Sequence, residues 1–193
     1  MKKNNKTGVF GGLFDPPHIG HLIVAQSVLE EFRLDKIMFV PAGNPPHKSR
    51  YSSYELRYKM TLLATKSNER FSVSNIEKEI LGKTYTVEVL RTLKKRIKGL
   101  VYLIIGSDQW QEIKTWKTPK ALLRECKIIV VPRPNYKIEE IKFFSKKISI
   151  SHSPLIDISS SNIRKKTRKK HSIRYLVPPR VYRFIKQKKL YQR

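Results

Sequence analysis

Residues 100-LVYLIIG-106 form an uninterrupted apolar run that ends in glycine. Such a run without polar alternation is typical of a strand that is buried on both faces of a sheet. The segment 127-KIIVVP-132 has the same character, and 6-KTGVFGG-12 and 36-KIMFVPAG-43 are further strand-like segments. Because strands covered on both faces need helices on either side, these runs restrict the chain to a layered α/β architecture.

Amphipathic segments separate these strands and supply the crossover connections that parallel strands need. The segment 21-HLIVAQSVLEEF-32 places Leu22, Ala25, Leu29 and Phe32 on one helical face. Further elements are predicted as helices over residues 54–65, 85–96 and 119–126 and as a strand over residues 71–77. We therefore predict a Rossmann-like α/β fold with a doubly wound parallel sheet.

We predict a single domain over residues 1–193, with a basic, helical C-terminal subregion at about residues 159–193 that is broken at Pro178-Pro179. The loops that follow predicted strands cover residues 11–21, 43–50 and 106–116. Because the C-terminal ends of parallel strands lie at one edge of a sheet, these loops are predicted to form one ligand site.

The first of these loops, within 11-GGLFDPPHIGHLIV-24, carries two histidines three positions apart. Glycines let a backbone approach an anion, and a helix start offers free N–H groups. At a helix start His18 and His21 project to one side, where their imidazoles can donate hydrogen bonds to a phosphoryl group. Metal binding and a purely structural role are the alternatives, although no cluster of Cys or carboxylates completes a metal site. The dinucleotide fingerprint and the P-loop motif are both absent from the sequence.

The phrase 11-GGLFDPPHIGH-21 resembles the signature of the nucleotidyltransferase superfamily that shares a HIGH motif with class I aminoacyl-tRNA synthetases. The chain is too short for a synthetase and has no segment like the KMSKS loop. Along nearly its full length it resembles the bacterial nicotinate-nucleotide adenylyltransferases. The segments that carry this resemblance are 11-GGLFDPPHIGHL-22, 40-VPAGNPPHK-48, 84-TYTVEVL-90, 104-IIGSDQWQEIKTWK-117, 129-IVVPRPNY-136, 158-ISSSNIR-164 and 175-YLVPPRVYRFIKQKKLY-191.

The resemblance implies a reaction of NAD biosynthesis. The 5′-phosphate of nicotinate mononucleotide attacks the α-phosphate of ATP, which gives deamido-NAD and pyrophosphate. Because this nucleophile is already an anion, catalysis depends on positioning and charge stabilisation more than on a general base. Mg²⁺ is implied as the ion carried with ATP, held by phosphates and water and not by a dedicated protein metal site.

The resemblance also implies roles for individual residues. The catalytic residues would be His18, His21, Lys48 and Arg164. The ATP-binding residues would be Gly11, Gly12, Leu13, Phe14, His18, His21, Ile158, Ser159, Ser160, Ser161 and Arg164. The residues that bind the second substrate would be Asp15, His47, Lys48, Tyr85, Thr86, Gly106, Asp108, Trp116 and Arg133.

For four of these residues the resemblance implies a more specific contact. Leu13 stands where the family usually has Ser or Thr, so one side-chain contact is lost and the backbone N–H groups remain. Trp116 resembles the aromatic residue that stacks on the pyridine ring. Thr86 resembles the residue whose backbone helps to recognise the nicotinate carboxylate. Asp108 would accept hydrogen bonds from a ribose, since an acid repels phosphate.

The net charge is +26, from 41 Lys and Arg against 15 Asp and Glu. This charge reflects a compositional bias or favours a polyanionic partner. Nucleic-acid binding through 164-RKKTRKKH-171 is therefore an alternative function or a side property, although this tract lacks interleaved aromatic residues. Nicotinamide mononucleotide and phosphopantetheine are alternative acceptors within the superfamily. The Tyr85-Thr86 and Thr115-Trp116 segments argue against phosphopantetheine.

No apolar run approaches the roughly 18 residues of a membrane span, and no signal peptide is recognised. The single cysteine, Cys126, precedes an apolar run and is expected to be a buried, reduced thiol. We expect a cytoplasmic enzyme that binds ATP and nicotinate mononucleotide and has no membrane contact. The sequence leaves a homo-oligomer open.

Overall fold

A computed structural model describes residues 5–44, 51–80, 82–139, 141, 144 and 147–192. In these ranges the strands are β1 (Lys6–Gly12), β2 (Lys36–Pro41), β3 (Phe71–Val73), β4 (Leu100–Gly106), β5 (Lys127–Val131) and β6 (Ile148–Ile150). They form a sheet in the order β3-β2-β1-β4-β5-β6, and every neighbouring pair is parallel. The predicted α/β fold with a parallel, Rossmann-like sheet is confirmed.

The helices are α1 (Ile19–Glu31), α2 (Tyr54–Thr65), α3 (Ile76–Glu79), α4 (Thr86–Lys94), α5 (Ser107–Gln111), α6 (Leu122–Glu125), α7 (Ser160–Arg168) and α8 (Pro179–Gln187). Single 3₁₀ turns cover Ile113–Thr115 and Pro119–Ala121. Within the described ranges, no helix is both long and apolar enough to cross a membrane.

The structure differs from the sequence-based prediction in two stretches. The strand predicted over residues 71–77 ends at Val73, and α3 follows it. Strand β6 was not predicted, because it spans three residues between polar neighbours and Ile150 is exposed. Its pairing with β5, such as Ile148 opposite Ile128, is a tertiary contact that a short local pattern does not encode.

Successive residues of each strand face opposite sides of the sheet, which creates two apolar layers. One layer joins the odd-numbered residues of β1 and β4 to α4 and includes Val9, Val87, Leu90, Leu93, Leu103 and Ile105. The other joins the even-numbered residues to α1 and includes Phe10, Ala25, Val28, Leu29, Tyr102 and Ile104. Ala25 and Leu29 of the predicted apolar helix face are fully buried there.

The C-terminal helices pack on α2. Their shared cluster contains Met60, Ala64, Ile163, Ile173, Val177, Val181 and Ile185. Between α7 and α8, the carbonyl of Leu176 accepts a hydrogen bond of 3.0 Å from the backbone N–H of Ile19. The C-terminal residues therefore contact the beginning of α1 directly.

Cys126 is buried, as predicted, and burial raises the pKa of its thiol to about 12. Because the thiolate is the reactive form, we predict that the native protein resists alkylation and reaction with a disulfide reagent at neutral pH. The reaction should become complete in denaturant, with one thiol titrated per chain. Rapid labelling without denaturant would contradict the buried position.

Candidate active site

The C-terminal end of β1 borders a cleft on each face of the sheet. On the α1 side, the histidine cleft and the solvent at its mouth occupy about 430 Å³, and the lining includes Phe10, His18, His21, Gly106, Arg133 and Ile158. On the α4 side, the α4 cleft and the solvent at its mouth occupy about 270 Å³, and the lining includes Val9, Gly11, Val40, Glu77 and Thr86. Adjacent β1 residues, Phe10 and Gly11, thus line different clefts.

His18 and His21 lie together at the start of α1. The backbone N–H of His18 donates to Nδ1 of His21 at 3.1 Å, and the two rings stack with centroids 3.6 Å apart. A Cβ atom on Gly20 would lie 3.1 Å from Nδ1 of His18 and 3.2 Å from Ile156. Glycine between the histidines therefore leaves room for the His18 ring, and the prediction that both imidazoles project to one side is confirmed.

His18 is 5% exposed, and it is uncharged at neutral pH. Burial, and secondarily the positive charge of Arg133, lowers the pKa of His18 to about 3. Nδ1 of this ring has no hydrogen-bond partner among the described residues. A neutral imidazole can give a phosphate oxygen a hydrogen bond but no full positive charge, so cationic neighbours must supply the charge.

Arg133 supplies a cation beside this pair. Its Nε lies 3.4 Å from Oδ1 of Asp108, and its backbone N–H donates to Oγ of Ser107 at 2.9 Å. A Cβ atom on Gly106 would overlap Asp108 and lie 2.8 Å from Nε of Arg133. Gly106 and Arg133, predicted as contacts to the second substrate, therefore lie in the histidine cleft.

Two residues of the loop between β1 and α1, which were predicted to contact the substrates, have buried side chains. Asp15 is fully buried, and its carboxylate accepts hydrogen bonds from the backbone N–H of Ser52 at 3.0 Å and the hydroxyl of Tyr191 at 2.6 Å. Phe14 packs in the core, 5.6 Å from the ring of Phe39. The Asp15 side chain has no exposed surface and its oxygen atoms accept from protein donors, and the contact of Asp15 with the second substrate stays a prediction. The Phe14 side chain likewise has no surface open to ATP, which leaves its backbone.

The predicted ATP motif at residues 158–164 lies against the same loop. Ser159 caps α7 by accepting from the N–H of Asn162 at 3.2 Å, and the hydroxyl of Ser160 donates to the carbonyl of Pro16 at 2.8 Å. Arg164 donates to the carbonyl of Asp15 at 2.7 Å and to Ser161 at 3.3 Å. These contacts bring the start of α7 next to the loop that presents His18.

Arg57 was not recognised in the sequence, because an arginine in an amphipathic helix is normally exposed. It is fully buried, and its guanidinium donates to the carbonyls of Leu13 at 3.1 Å, Ala42 at 2.6 Å and Gly43 at 3.3 Å. Nε also donates to the carbonyl of Ser52 at 2.9 Å. One side chain therefore joins the loops that follow β1 and β2 to the residues that precede α2.

The α4 cleft contains another side chain that sequence reasoning missed. Glu77 accepts a hydrogen bond from the backbone N–H of Gly43 at 2.8 Å, and burial raises its pKa. Thr86, the first residue of α4, lines this cleft, and Tyr85 precedes it with Nζ of Lys117 4.3 Å from its ring centroid. Trp116 is partly buried and packs against the α4-side core.

Two predicted residues, His47 and Lys48, lie outside the described residues. Across the ranges that are described, no group of three or more His, Cys, Asp or Glu side chains is arranged to hold a metal ion.

The depressed pKa of His18 predicts a pH-dependent stability. The unfolded chain protonates this residue near pH 6.5 while the folded protein does not, so the free energy of unfolding should fall as the pH drops below 6.5. At 1.36 kcal/mol per pKa unit, the loss between about pH 7.5 and about pH 5 should be about 2 kcal/mol. Urea unfolding should show this loss in the wild type and not in His18→Gln. Parallel pH profiles for the two proteins would contradict the neutral, buried state.

Comparisons with known proteins show the family of this chain. Residues 9–166 match the family model described as Cytidylyltransferase-like. A Thermoanaerobacter sp. (strain X514) protein named "Probable nicotinate-nucleotide adenylyltransferase" is 39% identical over 205 residues, covering 100% of this chain and 97% of its own. A Thermus thermophilus protein of the same name is 37% identical over 188 residues, covering 97% of this chain and 100% of its own.

A solved structure has the same fold. The Plasmodium falciparum nicotinic acid mononucleotide adenylyltransferase, complexed with NaAD, superposes with a TM-score of 0.83 at 23% identity and covers 97% of each chain. At that identity the superposition supports the fold alone. The family match over most of the chain and the full-length relatives decide the classification. The chain belongs to the cytidylyltransferase-like family and, within it, to the nicotinate-nucleotide adenylyltransferases.

Proposed function

We propose that the histidine cleft binds ATP, that the α4 cleft binds nicotinate mononucleotide, and that the adenylyl group passes between them at the end of β1. The observation that carries this proposal is the stacked pair His18 and His21 at a strand end with a cleft on each face of the sheet. The products are deamido-NAD and pyrophosphate, and the reaction belongs to NAD biosynthesis.

The chemistry is an in-line displacement at phosphorus. An oxygen of the 5′-phosphate of nicotinate mononucleotide forms a bond to the α-phosphorus of ATP. The bond from that phosphorus to the bridging oxygen breaks, and its electron pair leaves with pyrophosphate. No proton must be removed from the nucleophile, so positioning and charge stabilisation supply most of the catalysis.

Different residues of the histidine cleft supply this positioning and charge stabilisation. Neutral His18 and its partner His21 offer hydrogen bonds to the phosphate oxygens that gather charge. Arg133 and Arg164 supply positive charge, and Ser159 to Ser161 place the start of α7 toward the phosphates. Lys48 is a further cation in this proposal, carried by the resemblance. Mg²⁺ would be bound as a complex with the ATP phosphates, where it would neutralise their charge, and its other ligands would be water. We expect the reaction to take place in the cytoplasm.

The α4 cleft lies at the end of β1 and has hydrogen-bond donors for the carboxylate of an acidic pyridine nucleotide. Thr86 begins α4, so the first N–H groups of this helix can meet the nicotinate carboxylate. Trp116, which packs against the α4-side core, would stack on the pyridine ring. Asp108 lies beside Arg133 at the histidine cleft, so it would accept its hydrogen bond from a ribose on that side of the sheet. Glu77 has its own donor in the N–H of Gly43, which reduces its repulsion of a nearby anion.

The first prediction of this proposal is acceptor selectivity. With ATP and Mg²⁺, pyrophosphate should be released rapidly with nicotinate mononucleotide and much more slowly with nicotinamide mononucleotide or phosphopantetheine. The reactions are run separately, and the dinucleotide product is identified by mass. Preferred release with another acceptor would overturn the substrate. No release with any of them would redirect attention to polyanion binding by residues 164–171.

The second prediction concerns the histidine pair. His18→Ala and His21→Ala should each lower kcat by about 100- to 1,000-fold, the usual cost of removing a donor to transition-state charge. Trp116→Ala serves as the contrast, because it should mainly raise KM for the pyridine nucleotide. Circular dichroism must show all three variants folded. Wild-type turnover in both histidine variants would exclude their catalytic role.

A further inference from the structure

The loop at residues 13–19, here called the histidine loop, is held by the C-terminal residues at several atoms. Its carbonyls at Asp15 and Pro16 accept hydrogen bonds from Arg164 at 2.7 Å and Ser160 at 2.8 Å. Its N–H at Ile19 donates to the carbonyl of Leu176 at 3.0 Å. Each of these contacts uses the backbone of the loop and therefore does not depend on the identity of a loop side chain.

Tyr191 makes a contact of a different kind, because its hydroxyl donates to a loop side chain, at Oδ1 of Asp15, over 2.6 Å. The other carboxylate oxygen of Asp15 accepts from the N–H of Ser52 at 3.0 Å. Asp15 has no exposed surface, so these protein donors replace water for a buried carboxylate. The Tyr191 oxygen also lies 3.8 Å from Sδ of Met60 in α2, in the core of the C-terminal cluster.

We propose that Tyr191 is a positioning residue for adenylyl transfer, which acts through Asp15 to fix the histidine loop and so the placement of His18. This assignment rests on the proposed function of the histidine cleft. Among the described residues, Tyr191 is not part of the lining of either cleft, and its hydroxyl bonds to Asp15, so we expect its effect to pass through the loop. Burial and the charge of Asp15 raise the pKa of Tyr191, so its hydroxyl stays a proton donor throughout the neutral range.

The contacts of the Tyr191 hydroxyl predict how its removal should affect kcat and KM. Without it, Oδ1 of the buried Asp15 carboxylate loses its donor while Oδ2 keeps the N–H of Ser52, and we expect the loop to move to find a replacement for Oδ1. A small displacement of His18 relative to the α-phosphate lowers kcat, because catalysis here depends on positioning. KM for nicotinate mononucleotide should change little, since the α4 cleft lies on the opposite face of the sheet.

The test compares Tyr191→Phe with Tyr182→Phe. Tyr182 is a matched control: it lies in α8, packs against the same C-terminal cluster, and its hydroxyl makes no hydrogen bond within the described ranges. Tyr191→Phe should lower kcat by about 10- to 100-fold with KM for nicotinate mononucleotide within about twofold. Tyr182→Phe should keep wild-type kinetics.

Hydrogen exchange of the ligand-free protein gives a readout that does not depend on activity. Peptides that cover residues 13–24 should exchange faster in Tyr191→Phe and not in Tyr182→Phe, while peptides from β4 and β5 stay protected in both. If Tyr191→Phe does not fold, Asp15→Asn removes the charged acceptor at nearly constant shape and should show the same local pattern.

Wild-type kcat in Tyr191→Phe, or faster exchange spread over the whole chain, would overturn the positioning role. If the wild type itself releases no pyrophosphate with nicotinate mononucleotide, the proposed function fails. In that case the exchange comparison still decides separately whether Tyr191 fixes the loop.

Discussion

β1 lies between β2 and β4, where the order of the parallel strands changes direction. The connection through α1 leads to β2 on one side, and the connection through α4 leads to β4 on the other. Right-handed crossovers in opposite directions place these helices on opposite faces of the sheet. The end of β1 is thus the position from which adjacent residues can border two clefts, and the loop that carries His18 and His21 follows it.

Polar side chains that are buried or partly buried fix the loops at this edge. Arg57 joins the loops after β1 and β2, Asp15 joins the first loop to the C-terminal residues, and Glu77 holds Gly43 from the α4 side. Each is a charge removed from water, which is costly unless donors or acceptors surround it. The same hydrogen bonds that reduce this cost also determine where the loops lie. The stability of the fold and the geometry of the site therefore depend on the same interactions.

The central sheet and the histidine pair could be predicted from the sequence, because apolar runs, helical periodicity and the spacing of His18 and His21 are local signals. The roles of Arg57, Glu77 and Tyr191 could not, since each depends on at least one partner more than 30 residues away. The burial of the Asp15 carboxylate could not be predicted for the same reason, since its donors Ser52 and Tyr191 are distant in the sequence. The short edge strand β6 likewise depends on β5.

The central claim is that one strand end separates two substrate clefts, with the reacting phosphates meeting at His18 and His21. The most direct test is a crystal structure of the protein with deamido-NAD. The account predicts the adenosine half beside His18 and Ile158 in the histidine cleft, and the nicotinate ring in the α4 cleft near Thr86. Both halves on the same face of the sheet, or a pyrophosphate bridge remote from the histidines, would contradict it.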